Sequence, residues 1–394
     1  MLDCLKRTIA RSRFAPVFLP GNRYGNLVPN INLDVTRKQK RVLLIYLDMF
    51  EASVQISNAY RKGESGAVHT NRVELFQMIK GLIELDYCID VCGNGDVQAK
   101  KYIDANEYDF IIGLGELFRW TVEKKKIFSI IYMTENPYSV SYRGEMERLD
   151  YFFQRHHKKL NLERTGKFFQ ENDELISDAI LCVGEKKYFE KAKKPVEKIY
   201  PSAFYNVNFD VSSVQRSRKS FMVFGTEGFV HKGIDLLVDV FLKHPDWQLF
   251  ICGYDVEALI KDMMGISIRN TNIHDCGYIR VDSEEFLELI NKCRFILLPS
   301  CSEGTSTAIL TGMRHGLIPV VTHETGLDEM SEYCYFFDDF HIDAIEKKIK
   351  EIQDYSENEL DIKSRNIYNY ANKVFTAENF KEQFKKAIQE IMKG

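Results

Sequence analysis

The residues best placed to do chemistry sit in one short stretch, from Phe295 to Thr322. Phe295 to Leu298 is an apolar run closed by Pro299, which suits a strand buried on both faces. A polar loop follows, then a helical segment, Gly316 as its stop, and a second apolar run. The pattern is one β-α-β unit, so the loop opens at the carboxyl end of its first strand. Ligands of open α/β sheets bind at that end, and the next helix aims its N-terminal amides at the same place. Gly304, Thr305, Ser306 and Thr307 are small enough to leave those amides uncovered for a phosphate. Glu303 is the one charge in the loop. A carboxylate beside an anion is costly, so Glu303 is expected to hydrogen-bond neutral hydroxyls, such as those of a sugar. The bland alternative is an ordinary core unit with a surface glutamate.

The elements that must position this loop follow from length and pattern. At 394 residues the chain exceeds the size at which single cores stop growing, so two domains are expected. Hydrophobic residues at 45% and charged residues at 28% are those of a soluble globular protein. A net charge of −4, from 53 basic and 57 acidic residues, argues against a nucleic-acid partner. Nine scattered cysteines, several inside apolar runs, read as reduced and buried thiols of a cytoplasmic protein. Cys88 and Cys92 lack a second pair at zinc spacing. No apolar run reaches the roughly 18 residues needed to span a bilayer, and the N-terminus lacks a signal-peptide core. Residues 1–14 carry Lys6, Arg7, Arg11 and Arg13 beside Leu2, Leu5 and Ile9. That segment suits either a frayed terminus or a peripheral contact with an anionic membrane face.

Along the chain, a Pro/Gly/Asn-rich connection precedes the first strand, Arg41 to Leu47, and a long loop spans Asp48 to His69. Asn71 and Glu74 have capping-box spacing ahead of a helix with Leu75, Phe76, Ile79, Leu82 and Ile83 on one face. Strands at 87–91, 108–112, 127–132 and 178–183 then alternate with helices, an architecture of the doubly wound kind. The basic cluster at 155–159 reads as a solvated helix end. Gly93 with Gly95 and Gly113 with Gly115 lack the third glycine of a dinucleotide fingerprint, and no Walker loop occurs, so both read as tight turns. A second α/β set opens at strand 221–224 and runs through strands 248–252 and 272–276 into the focal unit. The expected division is therefore a first domain at 1–200, a linker at 201–219, a second domain at 220–375 and a terminal helix at 376–394.

The stretch Pro299, Ser300, Glu303, Gly304, Met313, Gly316, Pro319 and Val320 resembles the donor-sugar motif of the retaining glycosyltransferases of family 4, which have the GT-B fold. That resemblance implies two Rossmann-like domains facing a cleft, with a C-terminal helix crossing back to the first domain. It implies that Glu303 meets the donor sugar, while the family's second glutamate, which meets the ribose, is replaced by Thr311. Glu324 or Glu329 could stand in for it. On the loop Phe224, Gly225, Thr226 to Lys232 and Gly233, the family places an Arg and a Lys on the donor diphosphate. Lys232 matches, and Thr226 stands near the Arg position. Tyr278, in Gly277-Tyr278-Ile279, matches a further donor-side element. Related transferases carry a His and an acid after the strand ending near Tyr132, where Thr134 and Glu135 stand. Glu135 could orient or partly deprotonate an acceptor hydroxyl, or cap the next segment.

The function so implied is a retaining hexosyl transfer from a nucleotide-sugar donor to a saccharide or lipid-linked saccharide, as in surface polysaccharide synthesis. No Asp-x-Asp pair occurs, so no metal is expected, and the nucleotide-sugar is a co-substrate with no cofactor expected beside it. Two rivals share the fold: a donor-binding but inactive partner subunit, and a nucleotide-sugar epimerase.

Overall fold

A computed structural model describes residues 27–47, 70–212, 214–225 and 227–393. The basic segment 1–14, the loop after the first long strand and Thr226 lie outside the described residues. Two sheets organise the rest. The first contains β1 (Val28–Ile31), β2 (Arg41–Tyr46), β3 (Cys88–Gly93), β4 (Phe110–Gly113), β5 (Ser129–Met133), β6 (Ala179–Cys182) and β7 (Val196–Lys198). Their order is β1-β3-β2-β4-β5-β6-β7, parallel except for β1. Its helices are α1 (Thr70–Glu84), α2 (Ala99–Ala105), α3 (Gly115–Lys125) and α4 (Tyr138–His156). The near-continuous apolar runs of β2, β4, β5 and β6 are buried, as strands between two helical layers must be.

The second sheet is wholly parallel in the order β10-β9-β8-β11-β12-β13. Its strands are β8 (Ser217–Phe224), β9 (Gln248–Cys252), β10 (Ile273–Asp275), β11 (Cys293–Leu298), β12 (Ile318–Val321) and β13 (Tyr335–Phe336). Between them lie α5 (Ile234–Leu242), α6 (Val256–Met264), α7 (Glu284–Lys292) and α8 (Thr307–Arg314). The stretch from β11 through α8 to β12 is the β-α-β unit expected from the sequence, with the Glu303 loop at the carboxyl end of β11.

Three further helices complete the chain: α9 (Ile342–Gln353), α10 (Glu357–Val374) and α11 (Ala377–Ile391). A capping box of Ser356 and Glu359 starts α10, and Thr376 caps α11 by accepting from the Asn379 amide. Residues Phe380, Phe384, Ile388 and Ile391 of α11 are buried in the first domain's core with Leu75, Met78, Ile79 and Leu82 of α1. The two helices approach closely at Gly81, where an added Cβ would meet Lys385 and Phe384 at 3.1 and 3.2 Å. Lys381 and Lys385 both pair with Glu84 at 2.7 Å.

Three local expectations are corrected. Asn71 and Glu74 lie inside a helix that already includes Thr70, so they form no capping box. Glu74 is instead buried, accepting from the Ser202 amide and the Tyr46 hydroxyl, and burial pushes its carboxyl up to about 8. Within the span 201–219, Arg216 is buried and donates to the carbonyls of Ile290, His315 and Gly316. β8 also opens at Ser217, earlier than its apolar run, because residues 217–219 are exposed and carry no burial signal. Finally, the helix end at 155–156 is an interdomain ion cluster rather than a solvated one. Arg155 pairs with Asp235 and Asp239, and His156 lies 2.9 Å from Asp239.

Candidate active site

The carboxyl ends of both sheets face one cleft of about 840 Å³. Leu47, Thr134 and Glu135 line it from the first domain, and Gly225, Lys232, Tyr254, Tyr278 and the loop from Glu303 to Thr307 from the second. Lys232 follows a tight turn at Gly228, and Gly233 then adopts φ 70°. A Cβ at Gly233 would stand 2.6 Å from the Pro299 carbonyl, so glycine is what lets this loop lie against the Glu303 loop.

That approach puts the Lys232 ammonium 2.8 Å from Oε1 of Glu303, with both side chains buried. The Ser300 hydroxyl donates to the same oxygen at 3.2 Å. Burial alone would push the Glu303 carboxyl up. The charges of Lys232, Arg164 and His231 outweigh it and hold the group down at about 2. Glu303 is therefore a permanent carboxylate, able to accept hydrogen bonds but unable to deliver a proton near neutral pH. His231 is buried beside it, bonded to the Ser302 carbonyl at 2.5 Å and 3.6 Å from the Glu145 carboxylate. Burial would lower its pKa, but Cys301, Glu145 and Glu303 raise it to about 10.

On the other wall Glu135 does not cap α4, whose first residue follows Pro137 without a side-chain cap. It faces the cleft and pairs with Arg164 at 2.5 Å. Sequence reasoning missed Arg164, which lies in an aperiodic charged stretch between α4 and β6. Its place is fixed by contacts that local sequence does not reveal: the amides of Glu163, Arg164 and Thr165 all donate to the buried carboxylate of Glu145. Tyr254 was missed too. Its ring stacks on Tyr278 at 4.8 Å and 6°, and both rings are largely exposed at the cleft mouth. Tyrosines after adjacent strands at their carboxyl ends would have been the available signal.

The small residues of the focal loop divide into two roles. Gly304 packs against the first domain, where a Cβ would lie 2.3 Å from the Thr134 carbonyl. The Thr305 amide donates to the Val183 carbonyl at 3.1 Å, so it is not open to a phosphate as the sequence suggested. Ser306, Thr307 and Ala308 line the cleft at the start of α8, where helix amides lack intrahelical partners. Thr311 also lines it, but its hydroxyl donates to the Thr307 carbonyl at 2.7 Å. Neither glutamate that could have stood in for it reaches the cleft. Glu324 lines a separate cavity beside Arg148, and Glu329 accepts from the Tyr200 hydroxyl.

Two parallel-sheet domains with a cleft between their strand ends, closed by a terminal helix that returns to the first, define the GT-B class. Within it, residues 218–354 match the family described as Glycosyl transferases group 1. An uncharacterized glycosyltransferase of Methanocaldococcus jannaschii is 26% identical over 166 residues, which is 42% of this chain and 46% of that relative. Among solved structures, Anabaena HepE in complex with UDP and glucose superposes with a TM-score of 0.54 at 13% identity, covering 89% of this chain and 100% of that one. Sucrose-phosphate synthase from Thermosynechococcus elongatus gives 0.60 at 13% identity, covering 90% and 100%. Among the described residues no helix is long and apolar enough to cross a membrane.

Proposed function

We propose that this protein moves a sugar from a nucleotide-sugar donor to a hydroxyl acceptor, with retention at the anomeric carbon. The observation that carries this is the buried Lys232–Glu303 pair on the floor of a cleft opened by both sheets. A permanent carboxylate suits the neutral hydroxyls of a hexose, and an ammonium beside it suits the phosphate that departs from the anomeric carbon. The amides at the start of α8 add a partial positive charge to the same place. At the cleft mouth, the stacked Tyr254 and Tyr278 give a nucleobase an aromatic face.

The acceptor would enter from the first domain, where Glu135 could orient its hydroxyl once Arg164 is drawn toward the donor. Retention is what the likeness of Pro299, Ser300, Glu303 and Gly304 to the donor motif of the retaining family 4 transferases implies. The acceptor class stays that of a saccharide or lipid-linked saccharide, and the chemistry assigned to these side chains needs no cofactor. The complex of Anabaena HepE with UDP and glucose makes UDP-sugars the first donors to try. The test is incubation with radiolabelled nucleotide-sugars and a panel of saccharide acceptors. Labelled glycoside with the donor's anomeric configuration is expected. An epimerised nucleotide-sugar as the product, or donor binding without turnover on any acceptor, would refute the reading.

A further inference from the structure

We propose that Arg164 is the second cation of the donor site, reaching the diphosphate from the first domain while Lys232 reaches it from the second. This inference rests on the nucleotide-sugar reading above. A diphosphate gains charge as the sugar leaves, and one ammonium already paired with Glu303 offsets only part of it. Of the described cations lining the cleft, Arg280 is occupied by a two-bond pairing with Asp282 at the rim. Arg164 and Lys232 are the two at its floor.

Arg164 is built into place. Three successive amides, of residues 163 to 165, are bound by Glu145 at 2.7, 3.1 and 2.8 Å. The Glu163 carboxylate in turn accepts from the amides of Gly228 and Phe229, at 3.3 and 2.7 Å, on the very loop that leads to Lys232. A turn of the first domain is thus stitched to the cation loop of the second. It delivers Nη2 of Arg164 to 2.5 Å from Glu135 and 3.8 Å from Glu303. Among the described residues its side-chain hydrogen bonding uses Nη2 alone, which leaves the other edge of the guanidinium fork for a phosphate. Glu135 then acts as the anion that holds the arginine until a diphosphate competes for it, and is set free for the acceptor when the donor arrives.

The test is calorimetric binding of UDP, ADP and GDP, and of the matching nucleosides, to wild type, Arg164→Gln, Arg164→Lys, Glu135→Gln and Lys232→Ala, with melting curves to establish folding. Arg164→Gln should weaken the preferred diphosphate roughly ten- to a hundredfold and leave the nucleoside unchanged. Arg164→Lys should recover part of that loss. Glu135→Gln should tighten the diphosphate by about threefold or more, a gain that a purely structural Arg164–Glu135 pair would not give. Equal losses for diphosphate and nucleoside, or no tightening in Glu135→Gln, would overturn the assignment. A loss in Lys232→Ala without one in Arg164→Gln would overturn it while leaving the donor reading intact. Failure of wild type to bind any diphosphate would remove both.

Discussion

Glu303 owes its character to three cations and not to its own loop. Holding its carboxyl at about 2 means that its ion pairs favour the folded state. A carboxylate with a depressed folded pKa contributes stability that is present above its unfolded value and is lost as pH falls through the folded one. Acid titration of wild type should therefore show a loss of stability between about pH 4.5 and 2 that is reduced in Glu303→Gln. The same variant should stay folded near neutral pH, because an amide oxygen can still accept from Lys232 and Ser300. Its turnover should drop by about one to three kcal/mol of transition-state stabilisation, measured as kcat/KM for the donor. Thr311 has spent its proton on Thr307 and offers a ribose only lone pairs. Thr311→Glu should tighten nucleoside diphosphate binding by about one to two kcal/mol in calorimetry, and weaker binding would place the ribose elsewhere. Glu303 and Lys232 were legible in the sequence because each follows an apolar strand and so must sit at a strand's carboxyl end. Arg164 was not, because its position is set by a carboxylate on α4 and by a loop of the other domain.

Elements were legible where burial leaves a pattern and obscure where it does not. The central strands of both sheets stand out as apolar runs, but β1 and β7 are edge strands and β13 is two residues long. Pro29 inside β1 is tolerated only because an edge strand can leave one side of its ladder unpaired. Ion clusters between elements were illegible for the converse reason, since Arg155 looks solvated until α4 is laid against α5. The loop between β11 and α8 is the element on which the two domains close. Its glycine is the sharpest probe of that contact, because any Cβ at 304 must displace either the Thr134 backbone or Val183. Gly304→Ala should cost about one to three kcal/mol in denaturant unfolding, and it should raise the KM for donor by holding the walls apart. Unchanged stability and KM would mean that the walls already stand apart in solution.

At the scale of the whole molecule, the domains are joined by buried charge at His231 and Glu145 as well as by backbone stitches such as Thr305 to Val183. His231 has a folded pKa raised to about 10, so its contribution is complete below its unfolded value near 6.5 and fades as pH rises toward 10. The melting midpoint of wild type should fall across that alkaline window, with a free-energy change on the order of a few kcal/mol at most, and should fall less in His231→Gln. The two-domain plan was readable because strand and helix alternate twice, but the amphipathic pattern of α11 could not by itself say which core it completes. That placement has a consequence for how the protein is made. Residues 377–391 finish the core begun by α1, yet the ribosome delivers them only after the whole second domain. During synthesis α1 must therefore wait with Leu75, Ile79 and Leu82 lacking the cover of the final helix until that helix arrives.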